Sequence, residues 1–117
     1  MSAELFDENE FMEEFEDSID IMETMLPKFE KGLNDSLGKC DQLLASKDAH
    51  ALAEELHSLK GMVGTLYSPL LYELAVKMEH AAKENTLDGV SGHLQEFRDK
   101  LPKVVSIVSD IIQREAS

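Results

Sequence analysis

Apolar residues recur at helical spacing along most of the chain, which predicts amphipathic helices separated by short polar turns. In the most regular stretch, after Asp48, five apolar residues form one stripe at about 100° per residue: Leu52, Leu56, Leu59, Val63 and Leu66. His57 points roughly 140° away from the centre of this stripe. Four small residues share its side of the helix: Ala49, Ala53, Gly61 and Gly64. The pattern predicts an accessible histidine on a helix whose other face packs into a core.

Two apolar stripes precede this helix. The first predicts an N-terminal helix at about 8–26, with apolar positions at Phe11, Phe15, Ile19, Met22 and Leu26. Proline suits the first turn of a helix, so we expect the next helix to begin near Pro27 and to run to about Ala45. Its buried positions would be Phe29, Leu33, Leu37, Cys40 and Leu44. The first helix is strongly acidic, and it either caps one end of the fold or contacts a partner.

Turn residues mark where the later helices begin. Asp48 and Ser68 can each cap the free amide groups of a following helix, and Pro69 suits a first helical position. The helix after Ser68 has apolar positions at Leu70, Leu71, Leu74, Met78 and Ala81. A loop near 85–92 leads to a last helix, in which Pro102 should introduce a kink. The apolar positions of this helix are Leu94, Phe97, Leu101, Val104, Val108 and Ile111.

These helices predict an all-α fold. Short connections make consecutive helices antiparallel neighbours. We therefore expect an antiparallel up-and-down four-helix bundle over about 27–114, with the additional N-terminal helix packed across one end. At 117 residues, the chain is long enough for a single domain covering 1–117.

The composition narrows the possible functions. With 24 acidic and 11 basic residues, the net charge of −13 opposes binding to nucleic acid or to an anionic membrane. The one cysteine, Cys40, cannot form an intramolecular disulfide, and no apolar run approaches a membrane span in length. We therefore expect a cytoplasmic monomer whose partners are proteins.

The exposed histidine allows two interpretations. His57 could be an ordinary solvated residue, and Gly61 and Gly64 could serve only to admit a neighbouring helix. Alternatively, His57 is a nucleophile that a partner must reach. Each glycine within a helix costs about 1 kcal/mol relative to alanine, so a reason for the two glycines should exist. The helix alone leaves both interpretations open.

The string His57-Ser58-Leu59-Lys60-Gly61 resembles the His-x-Leu-Lys-Gly signature of histidine phosphotransfer (HPt) domains. The resemblance extends to the following helix, where Leu71, Met78 and Glu79 match a leucine and a hydrophobic-glutamate pair. Upstream, the family's hydrophobic helix ending in an aspartate is similar to Phe29, Leu33, Leu37, Leu44 and Asp48. Two positions depart from the family pattern: Tyr67 replaces a common glycine, and Met62 replaces a small residue.

The resemblance implies a free-standing phosphorelay intermediate. Such a protein takes a phosphoryl group from a receiver-domain aspartyl phosphate onto His57 and returns it to another receiver's aspartate. Its partners would be response-regulator receiver domains and a hybrid sensor histidine kinase. It needs no cofactor, because magnesium is expected on the receiver. The chain has no nucleotide-binding motif, so we expect a phosphoryl carrier and not a kinase. The alternative is a helical adaptor that docks a signalling partner by the same face without phosphorylation.

Two further residues would tune the reactivity of His57. A carboxylate that holds the proton on one ring nitrogen would leave the other nitrogen free to attack, and Glu79 is the candidate. Lys60, one turn after His57, would offset charge on the transferring group. Either residue could instead be an ordinary surface residue. We also expect Ala53, Gly61 and Gly64 to form part of the surface that the partner contacts.

A metal site is not expected. Glu54-x-x-His57 has the spacing of a di-iron ligand pair, but neither His80 nor His93 has a glutamate three residues before it. His50 lies two turns before His57, yet no third ligand completes a zinc set. We therefore interpret His50, His80 and His93 as solvated residues.

Overall fold

Capping side chains set the start of three helices in the computed structural model, which describes residues 4–116. Asp7 Oδ1 accepts from the amide of Glu10, Asp48 Oδ1 from that of Ala51, and Ser68 Oγ from that of Leu71, each at 3.1 Å. The predicted caps at Asp48 and Ser68 are therefore confirmed. The helices are α1 (Glu8–Phe15), α2 (Ile19–Ala45), α3 (Ala49–Val63), α4 (Pro69–Lys83) and α5 (Val90–Glu115).

The four longer helices form a closed bundle. Helix α3 packs between α2 and α4, and α5 packs against α2 and α4 on the other side. The predicted all-α four-helix bundle with an additional N-terminal helix is confirmed. Its core includes the whole predicted stripe of α3, which is fully buried. Burial of this stripe fixes the rotation of α3 about its own axis, and the opposite face of the helix is exposed to solvent.

The expected helix boundary at Pro27 is wrong. Helix α2 runs without interruption through Pro27, and the chain instead breaks at a single 3₁₀ turn, Glu16–Ser18. A proline within a helix leaves the carbonyl four residues earlier without its amide partner. Here that carbonyl belongs to Glu23, and both Glu23 and Pro27 are exposed, so water can satisfy it. Helix α5 also continues through Pro102; the kink expected there stays a prediction.

The segment before α1 closes the end of the bundle at the α3–α4 connection. The amide of Asp7 donates to the carbonyl of Tyr67, and the amide of Leu70 donates to the carbonyl of Glu4, both at 2.8 Å. Tyr67 itself has φ 54°, in the left-handed region where glycine is favoured. Its ring makes edge contacts with Phe11 and Phe15. These contacts offset the backbone cost at a position where the family resemblance expects glycine.

Burial agrees with most of the predicted core. Cys40 is fully buried, and this burial, together with the carboxylates of Glu55 and Asp41, raises the pKa of its thiol to about 12. Five residues of the predicted apolar stripes are only half-buried at the edge of the core: Phe15, Phe29, Leu44, Leu70 and Ala81. Within residues 4–116, no helix is both long enough and apolar enough to cross a membrane.

Candidate functional site

His57 projects from the exposed face of α3, as predicted. Its side chain is 69% exposed, while Leu56 and Leu59 on either side of it are completely buried. Nδ1 of the ring lies 3.0 Å from Oε2 of Glu79 on α4. No hydrogen-bond partner of Nε2 occurs in the part of the chain that the structure describes. The ring is therefore held from one side and open to solvent on the other.

Glu79 is not the surface residue that the sequence left possible. Its side chain is among the buried residues of α4 and the residue is only 4% exposed, because α3 and α4 pack closely. Oε1 accepts a hydrogen bond from Lys60 at 2.8 Å, and Oε2 accepts one from Lys83 at 3.1 Å in addition to its contact with His57. A buried carboxylate is stable only when it is paired in this way.

The pKa of Glu79 reflects these contacts. Burial by itself would raise the pKa of the carboxyl, but hydrogen bonds from Lys60, Lys83 and His57 lower it to about 2. The hydrogen bond that Lys60 donates to Glu79 in turn raises the pKa of the Lys60 ammonium. Near neutral pH, Glu79 is thus an anion and Lys60 is a cation.

An ionised Glu79 fixes the tautomer of His57. A carboxylate can only accept a hydrogen bond, so the ring nitrogen that faces it, Nδ1, must carry a proton. In the neutral ring, the lone pair then resides on Nε2, which points into solvent. The His57–Glu79 pair therefore presents Nε2 as an accessible nucleophile, while the other ring nitrogen, Nδ1, is already protonated.

Lys83 is the residue of this site that our sequence analysis missed. It follows Glu79 by four residues, and a glutamate followed by a lysine at this spacing forms an ion pair on a helix. That signal was available in the sequence. Such pairs are common on helix surfaces, however, and only the packing of α3 against α4 shows that this one adjoins a histidine.

A groove of about 440 Å³ runs beside the exposed imidazole, lined by His50, Ala53, Glu54, His57, Glu79 and Lys83. Ala53 is only 8% exposed, and its contact with a partner stays a prediction. Ala53 can still border a bound partner, since it lines the groove.

Gly61 lies on the exposed side of α3, and Gly64, which is also exposed, begins the 3₁₀ turn Gly64–Leu66 that follows. A Cβ atom added at either position would meet nothing within 4 Å outside its own helix. Close packing by a neighbouring helix therefore does not explain them. The two glycines leave the surface next to His57 without protruding side chains. Access by a partner remains the explanation that we propose for them.

Among the described residues, none of the other histidines pairs with Glu79, although His50 borders the groove. His50 and His80 pair with glutamates four residues later, at 3.1 Å and 3.9 Å, and all four side chains are highly exposed. His93 is half-buried at the start of α5. Across residues 4–116, no group of three or more histidine, cysteine, aspartate or glutamate side chains is arranged to hold a metal ion.

The charge on Glu79 should make stability depend on pH. We predict that Glu79→Gln lowers the free energy of unfolding by about 1–3 kcal/mol near neutral pH. Because the folded-state pKa of about 2 is below the unperturbed 4.5, the ionised group stabilises the fold above pH 4.5. This stabilisation is lost as the pH falls toward 2. Urea denaturation should therefore show that the difference between wild type and variant shrinks across this window; a constant difference would contradict the prediction.

The comparisons with known proteins agree with this geometry. The family model described as Hpt domain matches residues 9–107. The chain is also similar to the crystal structure of histidine-containing phosphotransfer protein B (HptB) from Pseudomonas aeruginosa PAO1, with a TM-score of 0.86 and 22% sequence identity. That match covers 97% of this chain and 98% of the other, and at this identity it shows the shared fold. No curated protein matches the chain significantly.

Hpt domains are phosphocarriers with a histidine phosphotransfer role in phosphorelays, and the resemblance seen in the motif is thus confirmed over most of the chain. The matched region contains both α3 with His57 and α4 with Glu79. This protein belongs to the Hpt domain family.

Proposed function

We propose that this protein is a phosphorelay intermediate that accepts a phosphoryl group on Nε2 of His57. The group comes from an aspartyl phosphate of one receiver domain and passes to the aspartate of another. The observation that supports this most directly is the pairing of Nδ1 with the buried, ionised Glu79, which leaves the Nε2 lone pair exposed.

The transfer step follows from this arrangement. The Nε2 lone pair attacks phosphorus, the bond between phosphorus and the aspartate oxygen breaks, and its electrons return to the receiver's carboxylate. Nδ1 keeps its proton throughout, so the ring becomes positively charged as the new bond forms. Glu79 stabilises that charge through the hydrogen bond that it already makes. The return step reverses each of these changes.

Lys60 supports the reaction through Glu79. Its half-buried ammonium donates to Oε1 and so keeps the carboxylate ionised and oriented with Oε2 toward the ring. Its positive charge also favours the negative phosphoryl group at longer range. In this proposal the magnesium ion and the acceptor aspartate belong to the receiver, and a hybrid sensor histidine kinase supplies phosphate upstream.

Incubation with phosphorylated receiver domains tests the proposal. We expect the protein to acquire a label that is labile in acid and stable in base, and peptide mapping should place it on His57. If receivers bind the His57 face but no phosphoryl group is transferred in either direction, the protein is instead an adaptor that docks by this face.

The glycines provide a prediction about access. Gly61→Gln should melt at the same or a higher temperature, because the position is open and replacing glycine in a helix stabilises by up to about 1 kcal/mol. The same variant should bind a receiver and exchange phosphate far more slowly, since the new side chain stands one turn from His57. Thermal melting and transfer kinetics measure the two effects. Normal exchange in a correctly folded variant would refute a docking role for Gly61.

A further inference from the structure

Two lysines contact Glu79, and they occupy different environments. Lys60 has a side chain that is 25% exposed and contacts Oε1, on the side away from the ring. Lys83, in the last turn of α4, has a side chain that is 63% exposed and contacts Oε2. Lys60 is thus held between the helices, whereas Lys83 lies at the edge of the groove beside His57.

Lys83 shares its acceptor with the reactive histidine. Oε2 of Glu79 accepts hydrogen bonds from both Nδ1 of His57, at 3.0 Å, and Nζ of Lys83, at 3.1 Å. A single oxygen atom therefore separates the ammonium group from the imidazole ring. Within residues 4–116, Glu79 is the ion-pair partner of Lys83, and the rest of the flexible side chain reaches solvent.

Phosphorylation of His57 would redistribute the charges around this oxygen. When the bond between Nε2 and phosphorus forms, the donor's bond to phosphorus breaks and its electron pair leaves with the donor. Nδ1 retains its proton, so the ring gains one positive charge, and the phosphoryl oxygens bring up to two negative charges. Oε2 is then neutralised by the ring itself, and the strongest unpaired negative charge nearby is on the phosphoryl group.

We propose that Lys83 is a phosphoryl-binding residue of the phosphorylated state. Its Nζ leaves Oε2 of Glu79 and binds a phosphoryl oxygen on His57, while Lys60 remains on Oε1 and acts as a positioning residue. The proposal rests on the proposed function of His57 as the acceptor. The exposure of Lys83, its position in the groove and its place on the shared oxygen are what distinguish it from Lys60.

Chemical phosphorylation tests this without a receiver. Phosphoramidate transfers its phosphoryl group to an imidazole nitrogen as its own phosphorus–nitrogen bond breaks and ammonia leaves. We would treat wild type, Lys83→Gln, Lys83→Arg and Lys77→Gln with this donor. Lys77→Gln is the matched control, because it removes one exposed lysine of α4 that pairs with Glu73 away from the site.

Two measurements distinguish phosphoryl binding by Lys83 from a purely structural role of this residue. The rate of His57 phosphorylation should fall about tenfold in Lys83→Gln, as expected for one lost charge-assisted contact. In the same variant, phosphorus NMR of the phosphohistidine should show that the titration midpoint of the phosphoryl group is higher than in wild type by about half a pH unit or more. The cation that favours the phosphoryl dianion in wild type is then missing. Lys83→Arg should restore both values, and Lys77→Gln should match wild type.

The proposal is overturned if Lys83→Gln and Lys77→Gln behave alike. It is also overturned if Lys83→Gln slows phosphorylation but leaves the phosphoryl midpoint unchanged, because Lys83 would then act only through Glu79. Failure of the proposed function is visible separately: a wild-type protein that takes phosphate from phosphoramidate on His57, but never from a receiver, would refute the relay and leave the comparison of lysine variants intact.

Discussion

The His57→Gln variant is expected to take no measurable phosphoryl group from a phosphorylated receiver. Glutamine has no nitrogen lone pair that can attack phosphorus, so the rate should fall by at least about 100-fold. The side chain is 69% exposed, and replacing it should change the free energy of unfolding by less than about 1 kcal/mol. Transfer of radiolabelled phosphate and a thermal melt of the same preparation measure these two effects.

His50→Gln is the matched control for this experiment. His50 lies on the same helix, borders the same groove and contacts a glutamate, Glu54, at 3.1 Å. That glutamate is 71% exposed and, among the described residues, forms no ion pair with a lysine, so His50 lacks the buried anion that orients His57. The control should label at the wild-type rate. Full labelling of His57→Gln, or a label mapped to His50, His80 or His93, would show that His57 is not the acceptor.

The Glu79→Ala variant should lose both reactivity and stability. Without the carboxylate, no group fixes the proton on Nδ1 or neutralises the ring as it becomes charged, so we expect transfer to slow roughly 10- to 100-fold. The half-buried ammonium of Lys60 also loses its partner, which should lower the free energy of unfolding by about 1–3 kcal/mol. Single-turnover transfer and urea denaturation at pH 7 test the two parts.

A surface glutamate of the same helix provides the comparison. Glu73 is half-exposed and pairs only with the exposed Lys77 among the described residues, so Glu73→Ala should leave transfer unchanged and alter stability by less than about 1 kcal/mol. Nitrogen NMR of the His57 ring adds a direct check, because Glu79→Ala should allow both neutral tautomers to coexist. Wild-type transfer by a folded Glu79→Ala protein would reduce Glu79 to a structural residue.

The stability prediction changes what the sequence alone suggested for Glu79. The sequence alone leaves two interpretations of Glu79: a residue that tunes the reactivity of His57, or an ordinary surface residue. Its burial comes from the close approach of α3 and α4, which no periodicity within α4 reveals. The same residue is therefore expected to act in the reaction and in the fold.

Helical periodicity and capping residues determined much of the architecture. The apolar stripes predicted the all-α bundle, the burial of Cys40 and the exposure of His57, because each depends on which face of a single helix is apolar. The helix boundary predicted at Pro27 is wrong because packing of the apolar stripe outweighs the local effect of the proline. A proline removes one backbone hydrogen bond, but the packing of the apolar stripe on both sides of it holds α2 in one piece.

The pairing of side chains between helices was decided by the tertiary structure. The motif around His57 and the glutamate at position 79 could be read from the sequence, yet their separation of 3.0 Å depends on the rotation and register of α3 against α4. The same register brings Lys60 to Oε1 of that carboxylate, while Lys83, on the same helix as Glu79, contacts Oε2. Together these contacts set the charge of Glu79 and the histidine tautomer. A linear sequence specifies which face each helix buries; the distances between charged groups on two different helices exist only once those faces have packed together.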